Sequence, residues 1–148
     1  MVQIHLGGGT PTYLDPDQLT RLARILQTRF PWKAGTEASI EVHPAVTSTE
    51  QMRVLSQLGF NRVSMGVQDF DSRVQQRINR VQSFEQTRAL IEDCRALGYV
   101  SVNVDLMYGL PLQTVEGFGR TLDRVEELRP DRVALFGQLG GRGVDLAA

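Results

Sequence analysis

The feature that most restricts the fold is a regular alternation of short apolar runs with longer stretches of helical periodicity. Alternation of this kind is the sequence pattern of parallel βαβ units. The predicted strands run from Val2 to Leu6, Ala38 to Val42, Arg62 to Met65, Ser101 to Leu106 and Arg132 to Phe136. The sequence therefore predicts an α/β fold with about five parallel strands and outer helices.

The first two helices are predicted from capping residues and apolar spacing. Asp15 can cap a helix that starts at Pro16, whose fixed φ suits the first turn. A Thr47-x-x-Glu50 capping box opens the next helix, which Gly59 would end. The first helix is expected to bury one apolar face formed by Leu19, Leu22, Ala23, Ile25, Leu26 and Phe30.

Two further helices follow from the same signals. One is predicted from Phe84 to Leu97 with Ser83 as its cap, and its inward face includes Cys94. The other is predicted from Val115 to Leu128 and ends before Pro130. Its inward residues are expected to be Val115, Phe118, Leu122, Val125 and Leu128.

Five βα units make either an open doubly wound sheet or part of a (β/α) barrel, and they fall short of a closed barrel, because eight strands need about 250 residues. We interpret residues 1–137 as a partial (β/α) barrel core and residues 138–148 as a divergent, glycine-rich tail. The first strand begins at the second residue and the last runs straight into the tail. We therefore expect both ends of the chain to be cut.

Charge and cysteine content exclude several classes of function. The chain has 16 Lys and Arg against 17 Asp and Glu, so it lacks the positive field that gathers nucleic acid or anionic membrane. Its N-terminus has neither the basic flank of a signal peptide nor an apolar run long enough to span a bilayer, so a cytoplasmic location is expected. Cys94, the only cysteine, excludes an internal disulfide and any metal site built on several thiolates of this chain.

The turn after the first strand is the strongest candidate for a ligand site. Gly7, Gly8 and Gly9 precede Thr10, and the missing Cβ atoms would let a ligand reach the backbone N–H and C=O groups. The run is not a P-loop, since no Lys and Ser/Thr follow, and it lacks the spacing of a dinucleotide site. The alternative is a tight turn that binds nothing.

Glu41 follows the second strand, where its carboxylate could accept hydrogen bonds from an amino group or a ribose diol. The alternative for Glu41 is a solvated strand-end side chain. His43 is interpreted as a histidine satisfied within the fold rather than a ligand or base. His5 lies inside the first strand, and we expect it to serve packing.

The third and fourth strands add further polar candidates. Gln68 or Asp69 can point into the same pocket with donor and acceptor groups. Arg80 could hold a ligand carboxylate in a bidentate fork, although an arginine exposed at the surface is the commoner case. Asp105 lies within a strand, where an unpaired carboxylate would be costly to bury, so a functional role is favoured.

Several motifs in fixed order resemble one enzyme family from Val2 to about Phe136. They are His5-Leu6-Gly7-Gly8-Gly9-Thr10-Pro11-Thr12, Ile40-Glu41-Val42, Arg62-Val63-Ser64-Met65-Gly66-Val67-Gln68-Asp69-Phe70, Val74-Gln75, Ile78-Asn79-Arg80 and Asp105-Leu106-Met107-Tyr108-Gly109-Leu110-Pro111. Together these motifs resemble the oxygen-independent coproporphyrinogen III oxidases, radical S-adenosylmethionine enzymes of haem biosynthesis. Related haem chaperones share the glycine loop, but Asp69 and the run from Asn79 to Gln82 favour the oxidase pattern.

The resemblance implies a set of cofactor contacts and a reaction. Gly8, Gly9, Thr10 and Glu41 match residues that hold S-adenosylmethionine, and Gln68, Arg80 and Asp105 match contacts to a second such molecule. The implied reaction cleaves S-adenosylmethionine at a [4Fe-4S] cluster and decarboxylates two propionate groups of coproporphyrinogen III to give protoporphyrinogen IX. No residue of this chain is assigned a catalytic role.

The chain departs from this family at both ends. The family ligates its cluster with a C-x-x-x-C-x-x-C loop upstream of the first strand, and Cys94 cannot replace three thiolates. The match also stops at Gly137, where the family continues with further strands. Three interpretations follow: an inactive fragment, which is favoured, a module that binds S-adenosylmethionine or a tetrapyrrole, or a subunit that takes its cluster from another chain.

Overall fold

A computed structural model describes residues 2–138 and contains one parallel five-stranded sheet. The strands are β1 (Gln3–Leu6), β2 (Glu37–Val42), β3 (Arg62–Gln68), β4 (Ser101–Tyr108) and β5 (Arg132–Gly137). Each strand pairs in parallel with the next along the chain, in the order β1-β2-β3-β4-β5. All five predicted strands are present, and the predicted α/β class is confirmed.

Five helices connect the strands, together with a 3₁₀ helix at Pro11–Tyr13. They are α1 (Pro16–Arg29), α2 (Thr49–Gln57), α3 (Ser72–Arg77), α4 (Phe84–Ala96) and α5 (Val115–Leu128). Each is capped by the side chain that precedes it: Asp15, Ser48, Asp71, Ser83 and Thr114. A capped helix of this kind starts at a fixed residue, which sets where the preceding loop ends.

The two faces of the sheet differ in chemistry. Every second strand residue packs against the helices, and Ile40, Val63 and Val104 are fully buried there. The alternate residues form a polar face. These are Gln3, His5, Glu37, Ser39, Glu41, Arg62, Ser64, Asn103, Asp105 and Arg132. β4 is therefore buried on one face only, and Asp105 lies on the polar face rather than in the core.

The capping box of α2 is one residue later than predicted. The Ser48 hydroxyl accepts from the Gln51 N–H, and the Gln51 side chain accepts from the Ser48 N–H. Thr47 instead pairs its hydroxyl with that of Thr12 at 2.7 Å. The buried Gln51 amide also donates to the backbone carbonyls of Thr12 and Leu14. These long-range contacts explain why α2 is capped by Ser48 rather than by Thr47.

The inward faces of α1 and α5 are narrower than predicted. Ile25 and Phe30 are 60% and 50% exposed, so the buried stripe of α1 does not include them. In α5, Val115 and Leu122 are 69% and 43% exposed, whereas Val125 and Leu128 are buried. In β5, Val133 and Leu135 are exposed as well, and within residues 2–138 no strand pairs beyond this edge strand.

The sequence predictions for the two ends have different outcomes. β5 carries the described chain to Gly137, but most of the predicted tail at 138–148 lies outside the described residues. Among residues 2–138, no helix has both the length and the apolar character needed to cross a membrane.

Candidate functional site

The candidate site lies at the carboxyl ends of the strands, where parallel α/β folds bind their ligands. The glycine loop follows β1 there, and Gly8 and Gly9 have φ values of 80° and 56°. A Cβ on either residue would meet no heavy atom within 4 Å, so these two glycines serve backbone conformation and leave open space above the loop. This geometry suits a ligand that approaches the backbone. A tight turn that binds nothing would have the same geometry.

Glu41 is bonded to this loop. Its Oε2 accepts from the Gly8 N–H at 3.0 Å, and its Oε1 lies 3.1 Å from Nε2 of His5. The carboxylate is half-buried and is therefore not a freely solvated strand-end group. Its two oxygens retain further acceptor capacity for a ligand.

His5 was predicted to serve packing, but it lies on the polar face of the sheet instead. Its side chain is 48% exposed, and its Nδ1 lies 2.7 Å from the Ser39 hydroxyl. The reason is register: β1 pairs with β2 so that His5 lies opposite Ser39, and both point away from the helices. His43, in contrast, accepts a hydrogen bond from the Ala45 N–H through Nδ1, which supports its interpretation as satisfied within the fold.

Asp105 is half-buried on β4. Its Oδ1 accepts a hydrogen bond from the Ser64 hydroxyl at 2.7 Å. Burial raises the pKa of this carboxyl, the Ser64 bond opposes that shift, and the Glu41 carboxylate adds to it. The Asp105 carboxylate is therefore held in a setting that favours a donor or a positive charge nearby.

Arg80 directs its guanidinium at the backbone rather than into open solution. Its Nε and Nη2 both donate to the Gly66 carbonyl, at 3.2 and 2.9 Å. A Cβ at Gly66 would lie 2.5 Å from Arg80 Nη2, so this close approach requires glycine. Burial lowers the pKa of Arg80 and the Asp105 carboxylate opposes that shift. Only the remaining N–H groups could bind a ligand, so the predicted fork is partly used by the protein.

Gln68 ends β3 in an unusual conformation. Its φ is 68°, and the pairing of β3 with β4 is irregular between Gly66 and Gln68. The side-chain Oε1 is buried and has no hydrogen-bond partner among the described residues. A buried acceptor without a partner is costly, so this oxygen is suited to a donor from a ligand.

Asp69, the other candidate at this position, does not reach the cleft described below. It is fully buried, and its carboxylate accepts from the Thr121 hydroxyl at 2.5 Å and from the Gln113 amide at 2.6 Å. It also accepts from the Asp71 N–H. Asp69 therefore joins the end of β3 to α5 and the turn before it.

The polar face forms a cleft of about 260 Å³ that includes Glu41 and Asp105. Sequence reasoning missed several of its lining side chains, namely His5, Ser39, Ser64, Asn103 and Arg132. The missed signal was the strict alternation of polar and apolar residues in the strands, which indicates a sheet with only one face in the core. A larger depression of about 580 Å³ lies between α3, α4 and α5, and none of the predicted cofactor residues lines it.

Cys94 is buried on α4, and burial raises the pKa of its thiol to about 12. The thiol is thus protonated at neutral pH, whereas metal ligation needs the thiolate. Within residues 2–138, no group of three or more His, Cys, Asp or Glu side chains is arranged to hold a metal ion.

A comparison with known families identifies the superfamily of the chain. The family model described as the radical SAM superfamily matches residues 1–125, most of the chain. The chain belongs to the radical SAM superfamily. The glycine loop, Glu41, Gln68, Arg80 and Asp105 all fall within the matched residues. Membership of this superfamily agrees with S-adenosylmethionine as the expected cofactor.

Two similar relatives are both named oxygen-independent coproporphyrinogen III oxidase. The chain is 49% identical over 134 residues to an oxygen-independent coproporphyrinogen III oxidase of Escherichia coli, covering 90% of this chain and 29% of the relative. It is 48% identical over 136 residues to the enzyme of that name from Pseudomonas aeruginosa, covering 90% and 30%. The chain thus spans about 30% of the length of the curated relatives that it matches.

Solved structures confirm the fold of this superfamily. Coproporphyrinogen III oxidase from Escherichia coli, described as a radical SAM enzyme, superposes with a TM-score of 0.88 at 48% identity, covering 92% of this chain and 31% of that one. Methylornithine synthase superposes with a TM-score of 0.73 at 18% identity, covering 95% and 40%, and shows likeness of fold alone. The five parallel strands are therefore part of a radical SAM (β/α) architecture.

Proposed function

We propose that this chain binds S-adenosylmethionine at its glycine loop, as the corresponding part of an oxygen-independent coproporphyrinogen III oxidase. The observation that carries the proposal is the Gly8 N–H bonded to Glu41, at a loop that leaves open space above Gly8 and Gly9. Support for the particular oxidase comes from the 49% identity to the Escherichia coli relative. The substrate would be coproporphyrinogen III and the location cytoplasmic.

The groups at the loop fit the charges of S-adenosylmethionine. Its ammonium group and ribose hydroxyls are donors, and the Glu41 carboxylate keeps free lone pairs for them. Its carboxylate is an acceptor that backbone N–H groups of the loop can meet, because Gly8 and Gly9 carry no side chains to block approach. Thr10 follows directly and can add a hydroxyl, since its side chain makes no capping bond to the 3₁₀ helix.

We assign Gln68, Arg80 and Asp105 to a second molecule of the cofactor. Within residues 2–138, the Gln68 Oε1 has no hydrogen-bond partner and the half-buried Asp105 carboxylate makes no salt bridge, so each would gain from a ligand donor. Arg80 holds the end of β3 through Gly66 and keeps N–H groups for an anionic group. When bound, S-adenosylmethionine would supply radical chemistry for hydrogen abstraction, and Gln68, Arg80 and Asp105 would bind and orient it.

The residues of this chain do not fit the iron-sulfur cluster. Cys94 is the only cysteine in the sequence, and its thiol is buried and protonated at neutral pH. We therefore derive no electron-transfer step for these residues and limit their role to binding and orienting the cofactor. Cleavage of S-adenosylmethionine would need thiolates from elsewhere.

Calorimetric titration of the chain with S-adenosylmethionine tests the proposal. Replacing Glu41 by Gln removes the negative charge that would accept from the ammonium and ribose hydroxyl groups of S-adenosylmethionine. A hydrogen bond to a charged group contributes about 1.5 to 3 kcal/mol, so its loss should weaken the affinity for S-adenosylmethionine about 10- to 100-fold. Glu37→Gln is the matched control, because Glu37 lies on the same strand and face at its opposite end. A wild-type chain that gives no binding heat, or a Glu41→Gln chain that binds like Glu37→Gln, would refute it.

A further inference from the structure

We propose that His5 is a positioning residue that holds the Glu41 carboxylate against the glycine loop and so prepares the loop for its ligand. Ser39 holds the His5 ring in turn. This inference rests on the proposed function for its ligand, S-adenosylmethionine, but not for the contact itself.

The geometry is a chain of short contacts across β1, β2 and the loop. Ser39 Oγ lies 2.7 Å from His5 Nδ1, and His5 Nε2 lies 3.1 Å from Glu41 Oε1. Glu41 then uses its other oxygen, Oε2, to accept from the Gly8 N–H at 3.0 Å. Both carboxylate oxygens are thus fixed from opposite sides, one by a ring and one by the loop.

Gly7 shows that this contact shapes the loop. A Cβ at Gly7 would lie 2.6 Å from His5 Nε2 and 2.8 Å from Glu41 Oε1, which is closer than Cβ atoms come to such neighbours. Gly7, unlike Gly8 and Gly9, does not have a positive φ, so conformation does not explain it. The close approach of the His5 and Glu41 side chains to Gly7 explains why this position is glycine.

The hydrogen-bond pattern fixes where the imidazole proton lies. An ionised carboxylate only accepts, so Nε2 of His5 must carry the proton that it shares with Glu41. Nδ1 then either accepts from the Ser39 hydroxyl or, in the imidazolium, donates to it while that hydroxyl donates to the Ile4 carbonyl at 3.3 Å. In the first arrangement the Ser39 hydroxyl selects the tautomer that donates to Glu41, as partners on one ring nitrogen commonly do for the other. In the second, both ring nitrogens donate, one to Ser39 and one to Glu41.

Restraint of Glu41 has a consequence for binding. A glutamate that is free to rotate loses side-chain entropy when a ligand orders it, whereas one held at both oxygens has lost that freedom beforehand. No atom of His5 lies within 4 Å of a Cβ built at Gly8 or Gly9, so we assign His5 a role through Glu41. Loss of the His5 donor should free the carboxylate, the Gly8 N–H and the loop together.

Amide hydrogen exchange of Gly8, followed by NMR on the full 148-residue chain, tests the contact without any ligand. His5→Phe keeps a ring but has no donor, and we expect Gly8 to exchange at least about tenfold faster than in wild type. His5→Gln can place an amide N–H where Nε2 lies and should restore protection. Gln3→Leu is the control, because Gln3 lies on the same strand and the same face. If His5→Phe fails to fold, Ser39→Ala takes its place.

Titration of the same variants with S-adenosylmethionine then tests the consequence. We expect about fivefold to tenfold weaker binding in His5→Phe, rescue in His5→Gln, and equal melting temperatures in His5→Phe and Gln3→Leu, as for a preorganising contact. Gly8 exchange that is the same in His5→Phe and wild type would overturn the inference. Exchange that depends on His5 in a chain giving no binding heat would support His5 as the anchor of the loop and refute the S-adenosylmethionine assignment.

Discussion

Replacing Thr121 by Val tests whether the buried Asp69 network holds the end of β3 in place. Thr121 is buried, with 1% of its surface exposed. Its hydroxyl donates to the Asp69 carboxylate at 2.5 Å and accepts from the Phe70 N–H at 3.1 Å. Valine keeps the shape of the side chain but removes both bonds. The change would leave a buried carboxylate oxygen and a backbone N–H each short of one partner.

The expected loss of stability follows from these two bonds. A hydrogen bond to a charged group contributes about 1.5 to 3 kcal/mol and a neutral one about 1 kcal/mol, so Thr121→Val should lower the free energy of unfolding by about 2.5 to 4 kcal/mol. At about 4 °C per kcal/mol for a domain of this size, the melting temperature should fall by about 10 to 16 °C. Such a loss is a large share of the roughly 5 to 15 kcal/mol of a typical domain.

Urea denaturation followed by circular dichroism measures the change. Thr28→Val is the matched control, because the exposed Thr28 hydroxyl bonds only the Arg24 carbonyl within its own helix. Thr121→Ser keeps the hydroxyl and should retain most of the stability. A Thr121→Val chain whose free energy of unfolding lies within about 0.5 kcal/mol of Thr28→Val would refute the assignment of a structural role to this network.

Three further substitutions have expected directions. Burial raises the pKa of Asp105, so the folded chain binds its proton more tightly than the unfolded chain and ionisation destabilises the fold. Asp105→Asn should therefore raise the melting temperature at neutral pH. The difference in melting temperature between this variant and wild type should shrink as the pH falls towards the ordinary carboxyl pKa. An equal difference at neutral pH and at that lower pH would contradict the prediction. Gly119→Ala should raise the free energy of unfolding by about 0.5 to 1 kcal/mol, because the added Cβ would meet no heavy atom within 4 Å. Gly59→Ala should lower the free energy of unfolding, because Gly59 has a φ of +94° and lies against Trp32. Urea titrations of both glycine variants check the signs.

The parts of the fold predicted correctly depend on local pattern. Asp15 and Ser83 cap their helices as expected because each side chain needs only the N–H three residues on. Residues 47–51 offer two overlapping capping boxes, and sequence alone could not choose between them. The choice of Ser48 depends on Thr12, which pairs with Thr47 across 35 residues.

Prediction of the site was less complete than prediction of the fold. Glu41 and the glycine loop were predicted as ligand contacts because each stands at the end of a strand, where ligands bind in this kind of fold. His5 was misread as packing although its alternation with Ile4 and Leu6 already indicated a second, polar face. Asp69 gave no such signal, because the left-handed φ of Gln68 turns the chain and directs the next side chain towards α5.

The amino-acid sequence by itself determined the number of strands and their order along the chain, the positions of most helix caps, and the presence of a single thiol. These properties follow from dihedral preferences and from contacts within a few residues. Tertiary structure alone decided that Glu41 meets His5 and Gly8, and that Asp69 meets Thr121. Those partners are 33 to 52 residues apart, so their meeting depends on strand register and helix packing, whose energies come from the whole core.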